Sequence, residues 1–323
     1  VVFGGLLVAA LLLAPLVGST QISLVRALDR SLPFEDNTDA QIFFIARLPR
    51  VLAAAVVGSS LAAAGVVFQA LLRNPLASPD TLGVSSGAAL GAMLAITFHL
   101  DFTIAGVPSI PLASFAGSLG ALAIVYALAT ARRRGLSTTV LLLAGVTMTA
   151  FFSALIMFTQ YLADFAETVR TVRWLMGMLD LGSYAPLVAV LPMLAIAFAM
   201  FATLPRSLDL ISLGIDAASA RGVDVVRSER ISLVSASLAT GAAVSIAGPV
   251  AFVGIVVPHV VRLIVGSDHR LVLPASMLFG ATFLIVCDLV ARTVFSPLEV
   301  PVGIVTALIG GPFFLWLLLR GVK

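Results

Sequence analysis

Lysine is all but missing from this chain; the only one is Lys323, the last residue. A phosphate-binding loop of the GxxxxGK[ST] type needs a lysine that reaches the β- and γ-phosphates. Its absence means that this chain cannot itself be an ATPase of that kind. Cysteine is nearly absent too. Cys287 stands alone inside an apolar run, which excludes a disulfide framework or a CxxC metal site and leaves a small buried residue. The three histidines, His99, His259 and His269, lie far apart with no ligand spacing, so no metal site is expected. His259 follows Pro258 in an apolar run and reads as a packing or gating residue. No HExxH occurs, which argues against an intramembrane metalloprotease. Charge is scarce as well: 11% of residues are charged, against roughly 25% in soluble domains.

What is present is apolar sequence. The 323 residues are 60% hydrophobic with a mean hydropathy of +1.13. A bilayer crossing takes ~20 mostly apolar residues, and such runs recur along the whole chain. Ten spans fit best, at roughly 1–18, 51–71, 84–100, 111–130, 138–160, 186–204, 231–248, 251–265, 271–291 and 302–319. Helices are expected because the hydrocarbon core leaves no water for open backbone groups. The reading is an all-α polytopic membrane protein, with 1–323 as a single transmembrane domain. The opening run lacks a basic leader and is read as the first span. The third and eighth spans look short, and the eighth starts after Gly248-Pro249, which suggests a sharp reversal or a broken helix.

The formal charge of +3 does not point to nucleic acid, because the arginines sit in short connections between apolar runs. There they read as topology signals. With the N-terminus in the cytoplasm, twelve basic residues fall on that side and seven on the other, the sum being 19. That bias expects both termini inside. The only acid well inside a predicted span is Asp288, four residues before Arg292, a spacing that reads better as a structural ion pair than as a proton relay. Small residues such as those of Ala53–Gly65, and the GxxxG of Gly87 and Gly91, speak for close helix packing and say little about substrate. One polar stretch breaks the pattern. Residues 205–230 form the longest cytoplasmic connection, with room for one or two short helices, Asp216 as a cap and Gly222 as a helix end. It reads either as a solvated loop or as a docking surface for a cytoplasmic partner.

Particular motifs then carry a resemblance. They are RLPR at 47–50, QALLRNPLASPDTLGVSSG at 69–87, LLLAGV at 141–146, WLMG at 174–177 and GPVAFVGIVVPHVVR at 248–262. The C-terminal part adds DLVAR and then EVPVGIVTALIGGPFFLWLL. In this order and spacing they resemble the FecCD permeases of ABC importers, a family that includes the vitamin B12, haem and ferric-siderophore permeases. The resemblance implies the type II importer permease fold in a bacterial inner membrane. It implies a homodimer with two cytoplasmic ATPase subunits and a periplasmic binding protein. ATP and magnesium would then belong to the ATPase, with no cofactor on this chain. Membrane lipid is the remaining partner.

The resemblance also implies roles for residues. Arg47, Arg50 and Arg292 would receive acidic residues of the binding protein, as arginine forks suit carboxylates. Snorkelling interfacial anchors are the plainer reading of the same three. Asn74 and Leu76, with Thr138 and Thr139 of the Ser137-Thr138-Thr139 turn, would form the cytoplasmic gate. Within 205–230, Leu213, Gly214, Ala217, Ala220, Arg221 and Gly222 would seat in the ATPase. The substrate pathway would include the fifth span, which offers Met148, Phe151, Phe152, Met157 and Phe158. Such a stripe equally suits plain packing. Arg170 and Arg173 would lie near the mouth, facing anionic cargo or anchoring Trp174 at the interface. An ion-coupled secondary transporter, and an importer of free metal ions or oxyanions, stay open as alternatives.

Overall fold

The computed structural model describes residues 1–29, 31–104, 107–130, 138–296 and 298–321. Arg30, Arg132, Arg133, Arg134, Ser137 and Lys323, which entered the charge bias or the gate turn, lie outside the described residues. Among the described residues the chain is almost wholly helical. Helix α1 (Val2–Leu13) ends in a 3-10 turn, and two short helices, α2 (Leu24–Ala27) and α3 (Thr38–Gln41), lead to α4 (Leu48–Leu71). After a 3-10 turn at Pro79–Leu82 come α5 (Val84–Thr97), the two-residue strands β1 (Thr103–Ile104) and β2 (Val107–Pro108), α6 (Ser109–Thr130) and α7 (Thr138–Leu162). Then follow α8 (Phe165–Leu175), α9 (Ala185–Ala202), α10 (Pro205–Ser212) and α11 (Ile215–Ala220). The chain ends with α12 (Val225–Ala247), α13 (Val253–Val265), α14 (His269–Thr293) and α15 (Val302–Gly321).

Each of the ten expected spans is helical. Among the described residues six helices are long and apolar enough to cross a membrane, and the other four expected spans appear as shorter apolar helices. The third and eighth are indeed short, at 14 and 13 residues. Three expectations need correction. Helix α12 starts at Val225 and not near 231, because Asp224 caps it by accepting from the Arg227 amide at 3.0 Å. Buried Glu229 therefore lies within a spanning helix too, so Asp288 is not the only such acid. Asp216 is not a cap: Gly214 holds that position in α11, and Asp216 sits in the first turn. Beyond these, the connection after the fifth span contains α8, an amphipathic helix opened by a capping box of Asp164 and Glu167.

Helices α4 and α12 are the most enclosed, and α14 lies against α4 along its length. The α4–α14 pair runs antiparallel and crosses at Gly58 and Gly280, where a Cβ on Gly58 would fall 2.2 Å from the Gly280 carbonyl oxygen. Only hydrogen side chains permit that approach, and backbone proximity is what helices in lipid exploit to pack. The entry to α4 is a π-helical turn over Ile42–Arg47. Pro49 gives the physical reason: its ring crowds the carbonyl four residues earlier, and its nitrogen cannot donate. A widened turn just before it relieves both problems.

Candidate translocation pathway

Four of the sequence motifs that are far apart in the chain meet at one chamber. A cavity of about 520 Å³ is lined by Asp80 of the RNPLASPD motif, Leu175 and Met176 of WLMG, Pro249 and Ala251 of GPVAF, and the start of α15 from Gly303 to Leu308. Its wall is almost wholly apolar. Met178 donates to the Ala247 carbonyl at 2.9 Å, tying the two loops together. Gly248 and Gly177 both have left-handed backbones, at φ 68° and 75°. Glycine adopts that region without strain. A Cβ on Gly303 would sit 2.3 Å from the Met176 carbonyl oxygen, so this corner has no room for a side chain. Phe252, which opens α13, also has a positive φ of 68°, strain in a bulky residue. Gly310 of α15 makes the space for it, since a Cβ there would lie 2.3 Å from Phe252 Cβ. Asp80 is the one carboxylate on this wall, and the Ser85 hydroxyl donates to it.

Two polar clusters pin the ends of the α4–α14 pair. At the first, Arg50 donates from Nε to Asp288 at 2.8 Å and from Nη1 to Glu299 at 2.6 Å. Asp288 is 1% exposed and also faces Arg292 at 3.6 Å. Arg292 donates to the Ala14 carbonyl at 2.5 Å. Arg47 donates to the carbonyls of Pro15 and Leu16, at 3.2 and 3.1 Å, and to that of Thr20. Arg47 and Arg292 are thus buried, at 5% exposure each, with their guanidinium groups turned into the protein. They staple the chain after α1 to the ends of α4 and α14. Arg50 is the member of the three whose partner, Glu299, is exposed. The (i, i+4) spacing found the Asp288–Arg292 pair, but the shorter bond to Asp288 comes from Arg50.

At the second cluster Asp209 of α10 reaches the first residue of α14. Its Oδ1 accepts from the His269 amide at 3.0 Å and lies 2.5 Å from His269 Nδ1. This satisfies an orphan amide at the helix start and places a negative charge at the positive end of the dipole. Close by, Gln69 at the end of α4 accepts from Arg262 at 2.5 Å and donates to the Gly254 carbonyl at 2.9 Å. These groups line a cavity of about 560 Å³ together with Asn74, Pro75 and Leu213.

The four residues expected at the gate sit just after the end of α4 and at the start of α7. Asn74 forms a tight turn by accepting from the Leu76 amide at 2.9 Å, and Leu76 is exposed. Thr138 and Thr139 open α7, and Thr139 is exposed. Among the described residues no hydrogen bond joins Thr139 to the Asn74 turn. In the connection before α12, Leu213, Ala220, Arg221 and Gly222 are exposed, while Gly214 and Ala217 are half-buried. Ile211, Ala218 and Val225 form a small core of their own that holds α10 and α11 to the start of α12. The α7 stripe divides: Phe152 is buried, Met148 packs against the core, and Phe151, Met157 and Phe158 are exposed. Arg170 and Arg173 are exposed on α8, whose last residue is at the chamber wall. His259 stacks edge-on to Phe313 at 5.9 Å. No cluster able to hold a metal ion occurs among the described residues.

A multi-pass helical bundle in which four separated motifs meet at one open cavity has an architecture suited to the membrane-spanning part of a transporter. Residues 6–320 match the FecCD transport family, and the chain belongs to that family. It is 45% identical over 276 residues to the cobalamin import system permease protein BtuC of Halobacterium salinarum, covering 84% of this chain and 72% of that one. It is 37% identical over 321 residues to the hemin transport system permease protein HmuU of Yersinia pestis, covering 98% of this chain and 95% of that one. A solved structure of a metal-chelate type ABC transporter in an inward-facing conformation superposes with a TM-score of 0.84 at 33% identity, covering 98% of this chain and 97% of that one.

Proposed function

We propose that this chain is the permease subunit of an ATP-driven importer in a bacterial cytoplasmic membrane, passing an iron chelate, haem or a cobalamin to the cytoplasm. The observation that carries the reading is the convergence of the four motifs on one cavity. A wall that is apolar apart from Asp80 suits a bulky cargo that must pass without being held. The names of the relatives support the cargo class.

In this reading both termini and the α10–α11 connection are cytoplasmic. The exposed edge of that connection, from Leu213 to Gly222, seats in an ATPase subunit. ATP binding closes the ATPase pair and moves α10. Asp209 is the strap that carries this movement into α14, and through Gln69 and Arg262 into α4 and α13. Asn74, Leu76, Thr138 and Thr139 then open or close the cytoplasmic gate. This is a two-state element biased by a ligand bound to another chain. A second copy of the chain packs on the exposed apolar faces of α7 and α15, which include Phe151, Met157, Leu308 and Trp316. A binding protein docks at the opposite end, where Arg50 and the stapled Arg47 and Arg292 supply positive charge. Arg173 stands beside the cargo route.

The test is uptake into proteoliposomes holding the permease, its ATPase and the cognate binding protein. Uptake is expected only with ATP and all three components. Arg50→Glu is expected to weaken binding-protein docking. Uptake driven by an ion gradient with no ATPase present would identify a secondary transporter and overturn the reading.

A further inference from the structure

A cavity of about 850 Å³ lies away from the chamber, between α9, α10 and the start of α12. Its two ends differ in chemistry. One end is formed by Ile196 and Met200 of α9 and Ile231 of α12, all within helices long and apolar enough to cross the membrane. The exposed apolar row on α9 continues from Ile196 through Pro192 to Val188, away from the cavity. The other end is formed by Arg206, Arg221 and Arg227. All three are exposed, and none pairs with a carboxylate among the described residues. The one acid on this wall, Asp224, is engaged as the cap of α12.

Three unpaired guanidinium groups beside a groove that runs onto a bilayer-facing helix match an amphipathic anion. We infer that this cavity binds one acidic phospholipid. The phosphate lies among Arg206, Arg221 and Arg227, and an acyl chain lies along Ile196, Pro192 and Val188. Guanidinium forks pair well with phosphate oxygens, and basic pockets between spanning helices are suited to anionic headgroups. An acidic protein segment would satisfy the arginines but would leave the apolar row without a partner. Lipid satisfies both ends. The ligand would brace the root of the α10–α11 connection against α9, independently of which cargo is carried.

Native mass spectrometry of the full-length permease in detergent tests this, with phosphatidylglycerol, phosphatidylcholine and inorganic phosphate as the probes. Arg221 is left in place, because it also belongs to the proposed ATPase surface. The wild-type chain is expected to retain one phosphatidylglycerol in preference to phosphatidylcholine, undisturbed by inorganic phosphate. R206Q/R227Q is expected to lose affinity by on the order of thirtyfold, at about 1 kcal/mol for each arginine near an anionic lipid. R206K/R227K should restore most of it. R26Q/R170Q, which removes the same charge elsewhere, should bind as the wild type does. Equal retention of both lipids, or unchanged binding by R206Q/R227Q, would overturn the proposal. Displacement by inorganic phosphate would make this a free-phosphate site and would overturn it too. Loss of binding in R26Q/R170Q would reduce the effect to net charge and count against it equally.

Discussion

The two polar clusters that pin the α4–α14 pair are built differently. The cluster around Asp288 is closed: buried arginines share one buried carboxylate and several backbone carbonyls, with α1, α4 and α14 all held. The cluster around Asp209 is open: one partly exposed carboxylate reaches from a short connecting helix to the head of α14. Between them the helices touch backbone to backbone at Gly58 and Gly280. The same pair of helices is therefore locked at one end and strapped at the other. A lock resists movement, and a strap passes it on. The first cluster should matter to stability, and the second to coupling.

Removing the charge of Asp288 strikes the lock hardest. Asp288→Asn is expected to lower unfolding free energy by roughly 3–5 kcal/mol, because it leaves buried Arg292 without its counter-ion and Arg50 with exposed Glu299 alone. Denaturation in mild detergent, followed by the fluorescence of Trp174 and Trp316, would measure it. A cost as small as that of a surface pair would show that the cluster is not a lock. Next in size is the chamber wall. Gly303→Leu forces a side chain against the Met176 carbonyl and is expected to cost about 1–3 kcal/mol, as overpacked sites do. In proteoliposomes it should also cut uptake more than it cuts stability. Glu299→Gln sharpens the contrast within the first cluster. It removes a partner from the same Arg50, yet Glu299 is 46% exposed. The expected cost is under about 1 kcal/mol, the range of solvent-exposed ion pairs, and the same unfolding curve would report it.

Much of the fold was legible in sequence because apolar runs of spanning length leave helices as the only economical backbone. The short eighth span and the break at Gly248-Pro249 were legible for the same reason. Amphipathic α8 was missed, although Asp164 and Glu167 stand at capping-box spacing. The chamber was legible only as separate motifs. Nothing in the spacing of WLMG, GPVAF and EVPVG says that their backbones interleave. The clusters were least visible. Asp288 and Arg292 are one helical turn apart and could be paired by counting, whereas Arg50 lies 238 residues away. Asp209 and His269, separated by 60 residues, carry no local signal at all. The start of α12 moved because a cap at Asp224 counts for more than the polarity of its first turn.

The strap from α10 to α14 is tested most directly by Asp209→Ala in the reconstituted importer, with uptake, ATP hydrolysis and unfolding measured on the same preparation. Losing hydrogen bonds at a partly exposed site should cost only about 1 kcal/mol of stability. Uptake should fall by roughly tenfold or more while ATP hydrolysis persists, the size of change expected when two sites are uncoupled. Uptake equal to wild type, or a loss of stability as large as that of Asp288→Asn, would contradict the division between lock and strap.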